Sequence, residues 1–123
     1  MRINQKILRL TPAVIYFCLI WYLSSRQITF DLSGNDKLIH LVEYTGMGFL
    51  LAFGFEINFE NLKQNLKGFL LIAPLTGAID EIHQAYVPGR NASTADFIVD
   101  VIGCAIGLVF FLILVKFLKR HAL

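Results

Sequence analysis

The stretch TGAIDEIHQAYVPGR, residues 76–90, places several ionisable side chains directly after the apolar run GFLLIAPL. Asp80, Glu81 and His83 fall within four positions, and Gln84 and Arg90 follow them. Carboxylates and imidazoles exchange protons, whereas a guanidinium group binds phosphate or carboxylate through paired hydrogen bonds. This stretch therefore predicts either acid–base chemistry or the binding of a charged group.

Two other stretches carry the same residue types, NDKLIHLVEY at 35–44 and STADFIVD at 93–100. On a helix, Asp36, His40 and Glu43 share one face, because they are spaced at i, i+4 and i+7. Asp96 and Asp100 likewise lie one turn apart. The candidate ligand-binding residues from the three stretches are Asp36, Lys37, His40, Tyr44, Asp80, Glu81, His83, Gln84, Arg90, Asp96 and Asp100.

The composition indicates a membrane protein. Of the 123 residues, 56% are hydrophobic and only 16% are charged, and the mean hydropathy is +0.63. A soluble domain carries about 25% charged residues. The formal net charge of +2, with basic residues at segment ends, does not indicate a nucleic-acid partner. Cys18 and Cys104 lie inside apolar runs without a CxxC spacing, so we interpret them as small hydrophobic residues.

Four continuous apolar segments predict an all-α membrane protein, a four-helix transmembrane bundle forming one domain over residues 1–123. The predicted helices cover approximately residues 7–25, 38–55, 66–87 and 95–118. Each is about as long as a helix that crosses a hydrocarbon core, roughly 20 residues. Continuous apolar runs favour helices over the alternating pattern of barrel strands. The first segment lacks a small-residue cleavage pattern, so we expect a retained span rather than a signal peptide.

The distribution of lysine and arginine predicts that both termini are cytoplasmic. In that orientation eight of the eleven basic residues lie inside, and Arg26, Lys37 and Arg90 lie outside. The polar ends of the second, third and fourth helices then meet in one layer near the outer face. Below the carboxylates of the fourth helix, Gly103 and Gly107 form a GxxxG, which lets another helix approach closely.

Structural interpretations of the same residues remain open. A single buried carboxylate such as Glu43 or Asp100 is often only an interhelical hydrogen-bond partner. Ser93 followed by Asp96 resembles a capping box with Asp in place of Glu, so Asp96 can serve the start of the helix. In VPGR, Pro88 and Gly89 are typical turn residues. The whole constellation is harder to explain by structure alone, since each buried charge costs about 2.5–3.5 kcal/mol at the membrane centre.

The combination of these motifs resembles the VanZ-like membrane proteins. The matching elements are Asp36, Lys37 and His40 at the start of one helix, Glu81 and Gln84 before the VPGR turn, and Asp96 before a small-residue helix. The resemblance covers roughly residues 24–108. It implies a bacterial protein of the cytoplasmic membrane with four helices and a role in resistance to teicoplanin and related lipoglycopeptides.

The expected function is a multi-pass envelope protein whose site at the outer face recognises a lipid-linked cell-wall intermediate or lipoglycopeptide. In this binding hypothesis Arg90, Lys37 and the histidines hold a phosphate or carboxylate. We predict no cofactor, and we leave formation of a homo-oligomer open. A proton-coupled transporter or a lipid-flipping subunit is a second alternative, although the inner halves of the helices are nearly free of polar groups.

An enzymatic alternative uses the same residues in a hydrolase or transferase acting on an outer-leaflet lipid. Glu81 is the candidate general base, His40 an acid or base, and Arg90 a stabiliser of negative charge, with Asp96 as a further catalytic candidate. A variant of this hypothesis uses His40, His83, Asp80 and Asp96 as metal ligands. No HExxH or other dedicated metal spacing is present, so the sequence prediction assigns no metal.

Overall fold

The structure is a computed structural model that describes residues 3–25 and 36–122, and these residues form four α-helices and no strands. The helices are α1 (Ile3–Ser25), α2 (Asp36–Gly54), α3 (Leu62–Ala85) and α4 (Thr94–His121). Helix α3 begins four residues before its predicted start. The prediction began the helix at the first residue of the apolar run, but the polar residues before that run form the first turn of the helix. Arg2 and Arg26, two of the basic residues in the orientation prediction, lie outside the described residues.

The four helices run alternately up and down. At one end of the molecule, Arg9 of α1 pairs with Glu56 in the α2–α3 connection, at 2.6 Å between Nη1 and Oε1. Lys119 of α4 pairs with Glu60 of the same connection at 3.0 Å. The start of α1, the α2–α3 connection and the end of α4 therefore lie together, and the polar starts of α2 and α4 lie at the opposite end with the last turns of α3.

The closest helix contact joins α2 and α4 and is made through glycines. A Cβ added to Gly103 would lie 2.9 Å from the carbonyl oxygen of Leu41. A Cβ on Gly107 would overlap the carbonyl oxygen of Thr45, and one on Gly48 would overlap the backbone of Cys104. The GxxxG spacing thus permits the close approach that the sequence predicts.

Buried residues are apolar through the middle of the molecule and polar at one end. The apolar core consists of Ala13, Ile20, Tyr44, Met47, Leu51, Ala52, Ile57, Phe69, Ala73, Cys104 and Phe111. In contrast, many large apolar side chains are exposed on every helix; examples are Ile15 of α1, Val42 of α2, Leu71 of α3 and Ile113 of α4. Soluble domains rarely expose so much contiguous apolar surface.

Two of the described helices are long and apolar enough to cross a membrane, Asn4–Ser25 and Thr94–His121. Helices α2 and α3 carry several of the charged residues considered above, which lowers their hydropathy. Length and composition thus support membrane insertion for the first and last helices.

A tight turn connects α3 to α4 beside the polar end. The backbone N–H of Arg90 donates to the carbonyl oxygen of Val87 at 3.1 Å, and Gly89 has a φ of 82°. Glycine is suited to this left-handed conformation because it lacks a Cβ. The turn therefore brings the start of α4 against the last turns of α3.

Candidate functional site

The polar end of the molecule contains a cluster of buried polar side chains from all four helices. Helix α1 contributes Ser24, α2 contributes His40, α3 contributes Asp80, Glu81 and Gln84, and α4 contributes Asp96 and Asp100. Each of these residues is at most 7% exposed. Because α2 and α4 start at this end and α3 finishes there, the three polar stretches of the sequence meet. We refer to these seven residues as the polar cluster.

His40 lies at the centre of the polar cluster. Its Nδ1 is 2.8 Å from Oδ1 of Asp100 and 3.9 Å from Oε1 of Glu81. Its Nε2 is 3.9 Å from Oδ2 of Asp36, one turn earlier on α2. The imidazole thus contacts α3 and α4 through one nitrogen and faces the start of its own helix with the other.

Asp80 is fully buried, and both of its carboxylate oxygens accept hydrogen bonds. Ser24 donates to Oδ1 at 2.8 Å, and the Gln84 side-chain amide donates to Oδ2 at 3.1 Å. The bond from Ser24 connects α1 to the site, and sequence reasoning missed it. An isolated serine is not part of a recognisable motif. The one sequence feature that could have indicated this role is the position of Ser24 and Ser25 at the end of the first helix.

Glu81 connects α3 to the start of α4. Its Oε2 accepts a hydrogen bond from the backbone N–H of Ser93 at 3.1 Å, while the Ser93 hydroxyl accepts one from the N–H of Asp96 at 3.0 Å. In a complete capping box, the Asp96 carboxylate would accept the bond from the Ser93 N–H. Here the Glu81 carboxylate accepts this bond instead, so the Asp96 carboxylate can make other contacts.

Three buried carboxylate oxygens lack a hydrogen-bond partner within the described part of the chain. They are Oε1 of Glu81, Oδ1 of Asp96 and Oδ2 of Asp100. Lys37 places its Nζ 3.5 Å from Oδ1 of Asp96, but the lysine side chain is 63% exposed. Unpaired buried carboxylate oxygens are costly, so these three atoms are candidate contact points for a bound group.

The candidate residues outside the polar cluster have separate surroundings. His83 lies with Nε2 2.7 Å from the Ser25 hydroxyl, and its ring is 3.7 Å from that of Trp21. Arg90 is half-buried in the turn after α3, with no ion pair to a carboxylate of residues 3–25 or 36–122. Tyr44 is buried, and its hydroxyl donates to the carbonyl oxygen of Thr76 at 3.3 Å.

The geometry identifies four residues whose donor atoms can converge on one ion. His40, Asp80, Glu81 and Asp100 each offer an atom such that all four atoms lie within 4.8 Å of one another. A second group, Asp36, His40 and Asp96, meets the same criterion on the other side of the imidazole. His83 belongs to neither group, although the sequence-based metal hypothesis included it.

A cavity of about 410 Å³ adjoins the polar cluster between α3 and α4. Glu81 and Ser93 form its polar wall, and Ile82, Ala85 and Phe97 are among its apolar lining residues. A separate apolar groove of about 450 Å³ runs between α1, α2 and α3 and reaches Thr76, one turn before Asp80. Both spaces are lined mainly by apolar side chains, so they suit the apolar part of a ligand.

Comparison with known proteins agrees with the motifs. A family model described as VanZ/LLP1 matches residues 2–115. Comparison with curated proteins finds no match, and comparison with solved structures finds none either. The family match includes every residue of the polar cluster, the whole helix Asn4–Ser25 and most of the helix Thr94–His121. The chain therefore belongs to the VanZ/LLP1 family.

Proposed function

We propose that this protein crosses the bacterial cytoplasmic membrane four times and uses the polar cluster, at the outer face, to recognise a lipid-linked cell-wall intermediate or a lipoglycopeptide. One observation carries this proposal: a buried cluster of carboxylates around His40 lies at one end of a molecule whose outer surface is apolar. Soluble proteins show the opposite arrangement. Polar residues kept inside a membrane bundle typically mark ligand or ion sites.

Exposed apolar residues on α2 and α3 support insertion of all four helices. Val42 of α2 is 63% exposed and Leu71 of α3 is 68% exposed, as expected for side chains that face lipid. At one end of these two helices, the side chains of His40, Asp80, Glu81 and Gln84 point inwards. Such helices cross a membrane as parts of a bundle, although their mean hydropathy is moderate.

The proposed orientation places the polar cluster outside. Lys63, Lys67, Lys116, Lys119 and Arg120 lie on the parts of α3 and α4 that are remote from the cluster. An excess of basic residues is typical of cytoplasmic loops and helix ends. Both termini are then inside, and the polar cluster faces the compartment where cell-wall intermediates and lipoglycopeptides meet.

The chemistry of the site suits an amphiphilic ligand. Lys37 and Arg90 lie at the polar end, where an ammonium and a guanidinium group can hold a phosphate or carboxylate. The carboxylates beneath them suit amine or hydroxyl groups of a sugar or peptide. The apolar groove between α1, α2 and α3 can hold a lipid chain. Membership of the VanZ/LLP1 family is consistent with a role in teicoplanin resistance.

Mass spectrometry of lipids that remain with the gently purified protein tests this proposal. We expect the wild type to retain a lipid that carries a phosphate and a prenyl or saccharide group. Arg90→Ala should lose it, whereas the control Arg120→Ala, at the opposite end, should retain it. Only bulk phospholipid in all three samples, with no binding of added teicoplanin, would contradict recognition by this site.

A hydrolase or transferase acting on the same lipid is the second candidate function. It is favoured by Glu81, a carboxylate residue that lines the 410 Å³ cavity. A carboxylate at the wall of a cavity is suited to accept a proton from an attacking hydroxyl or water. Glu81→Gln should abolish turnover of a polyprenyl-diphosphate-linked saccharide while leaving its binding and the membrane level of the protein near wild type.

Transport of a proton or lipid is supported least. Apart from Thr76, the buried residues below the polar cluster are apolar in the parts of the helices that the structure describes, including Met47, Leu51 and Phe69. Proton relays need a continuous series of ionisable groups or water. A transport function would therefore need a pathway formed between two copies of the chain, because the interior of one copy is apolar below the polar cluster.

A further inference from the structure

We propose that His40, Asp80, Glu81 and Asp100 form a binding site for a divalent metal ion. The four residues come from α2, α3 and α4, and the donor atoms lie within 4.8 Å of one another. Ligands at about 2.0–2.2 Å from one ion can be at most about 4.4 Å apart. Four atoms within 4.8 Å of one another lie at most about 2.9 Å from a common centre, so shifts of less than about 1 Å would bring all four donors to bonding distance.

The charges of the four residues are not balanced by cations in the described part of the chain. Asp80 and Asp100 are fully buried, and Glu81 is 7% exposed. His40 must be neutral to bind a metal, so the three carboxylates carry up to three uncompensated negative charges. The ammonium group of Lys37 is paired with Asp96 and is largely exposed. Uncompensated buried charges are strongly destabilising, and a divalent ion would balance two of the three.

The unpaired oxygens point to the same conclusion from hydrogen bonding. Oε1 of Glu81 and Oδ2 of Asp100 have no hydrogen-bond partner in residues 3–25 and 36–122, although the Asp100 side chain is fully buried and that of Glu81 is nine-tenths buried. Buried polar atoms in proteins almost always have a partner. A metal ion between them would supply that partner without a further side chain.

Hydrogen bonds to the other oxygens hold the proposed ligands in orientation. Ser24 and Gln84 bind the two oxygens of Asp80, and the N–H of Ser93 binds Oε2 of Glu81. Bonds of this kind to ligating carboxylates are a regular feature of metal sites. Ser24 and Gln84 are therefore positioning residues for the ion.

One imidazole with three carboxylates indicates the class of ion. Carboxylate ligands suit Mg²⁺, Ca²⁺ and Mn²⁺, whereas imidazole suits Zn²⁺ and other transition metals. A mixed set of imidazole and carboxylate ligands suits Zn²⁺ or Mn²⁺, and it does not suit Cu⁺, for which soft thiolate and thioether ligands are typical. Neither cysteine belongs to the set. This inference does not depend on the identity of the lipid or glycopeptide ligand.

Metal content and affinity test the site directly. The full chain, purified in detergent with a histidine-free affinity tag, is stripped with EDTA and titrated with Zn²⁺ or Mn²⁺ by calorimetry. Bound metal is then counted by mass spectrometry. We expect about one ion per chain, with affinity reduced at least about tenfold in Glu81→Gln and Asp100→Asn. Glu60→Gln, an exposed carboxylate at the opposite end, should bind as the wild type does.

Electron paramagnetic resonance of Mn²⁺ bound to the wild type gives a second test that needs no carboxylate variant to fold. Coupling of the metal to one imidazole nitrogen would place the ion at His40, and His40→Gln should remove that coupling. Absence of stoichiometric binding by the wild type, binding unchanged in both carboxylate variants, or bound Mn²⁺ without nitrogen coupling would each overturn the proposal. The lipid experiment can succeed or fail independently of these results.

Discussion

His40 of α2 and Asp100 of α4 are 60 positions apart in the chain, yet Nδ1 of the imidazole lies 2.8 Å from Oδ1 of the carboxylate. Both side chains are almost completely buried, at 2% and 0% exposure. The pair lies at the end of the α2–α4 contact that Gly103, Gly107 and Gly48 make possible. The close packing of α2 against α4 therefore also brings His40 and Asp100 into contact.

Removal of the imidazole should destabilise the fold. His40→Leu leaves the Asp100 carboxylate buried without its partner, which costs about 3–5 kcal/mol in comparable buried pairs. Thermal unfolding in detergent with EDTA present, followed by Trp21 fluorescence, measures the effect. Lys119→Ala is the control because its pair with Glu60 is exposed, and such pairs contribute about 0–1 kcal/mol. Equal losses in the two variants would show that the buried pair has no special role.

Ser24 should support the site through Asp80. Ser24→Ala removes the donor to Oδ1, so we expect a loss of about 1–3 kcal/mol in stability and a weaker affinity for Zn²⁺ or Mn²⁺. The neighbouring Ser25 is exposed and contacts His83, which makes Ser25→Ala a matched control with little effect on metal affinity. Calorimetry on both variants distinguishes a positioning role from a general effect at the end of α1.

A larger residue at Gly107 should separate α2 from α4. A Cβ at this position overlaps the backbone of Thr45, which cannot move without shifting α2. Gly107→Val should therefore reduce the monodisperse peak in size-exclusion chromatography or lower the unfolding temperature by several degrees. Ala105→Val introduces the same side chain at an exposed position of α4 and should behave as the wild type. Wild-type behaviour of both variants would mean that the close contact does not determine stability.

Labelling of single cysteines in intact cells tests the proposed orientation. In a Cys18→Ser background the remaining cysteine, Cys104, is buried and should not react. Tyr86→Cys, at the polar end, should react with a membrane-impermeant maleimide from outside. Glu60→Cys, in the α2–α3 connection, should react only after the membrane is opened. The reverse pattern would place the polar cluster at the cytoplasmic face and contradict the proposed function.

The amino-acid sequence by itself predicts the four helices, the polar ends of α2, α3 and α4, and the family. Continuous apolar runs separated by short polar segments permit little other than helices, and hydrophobic periodicity is local information. The positions of Asp36, His40, Asp80, Glu81, Asp96 and Asp100 at the same end follow from alternating helix directions. The close helix contact at Gly103 and Gly107 can also be predicted from the sequence, because small residues at this spacing allow helices to approach each other.

The tertiary structure decided which side chains meet. Helical periodicity shows which residues share one face of a helix. The rotation of each helix about its axis and its position along its neighbours depend on contacts between residues that are distant in sequence. That packing brings His40 to Asp100 and directs His83 to Ser25 and Trp21. It also adds Ser24, whose role depends on α1 reaching Asp80 across 56 positions of the chain. Because these contacts join separate helices, no local pattern of residues specifies them.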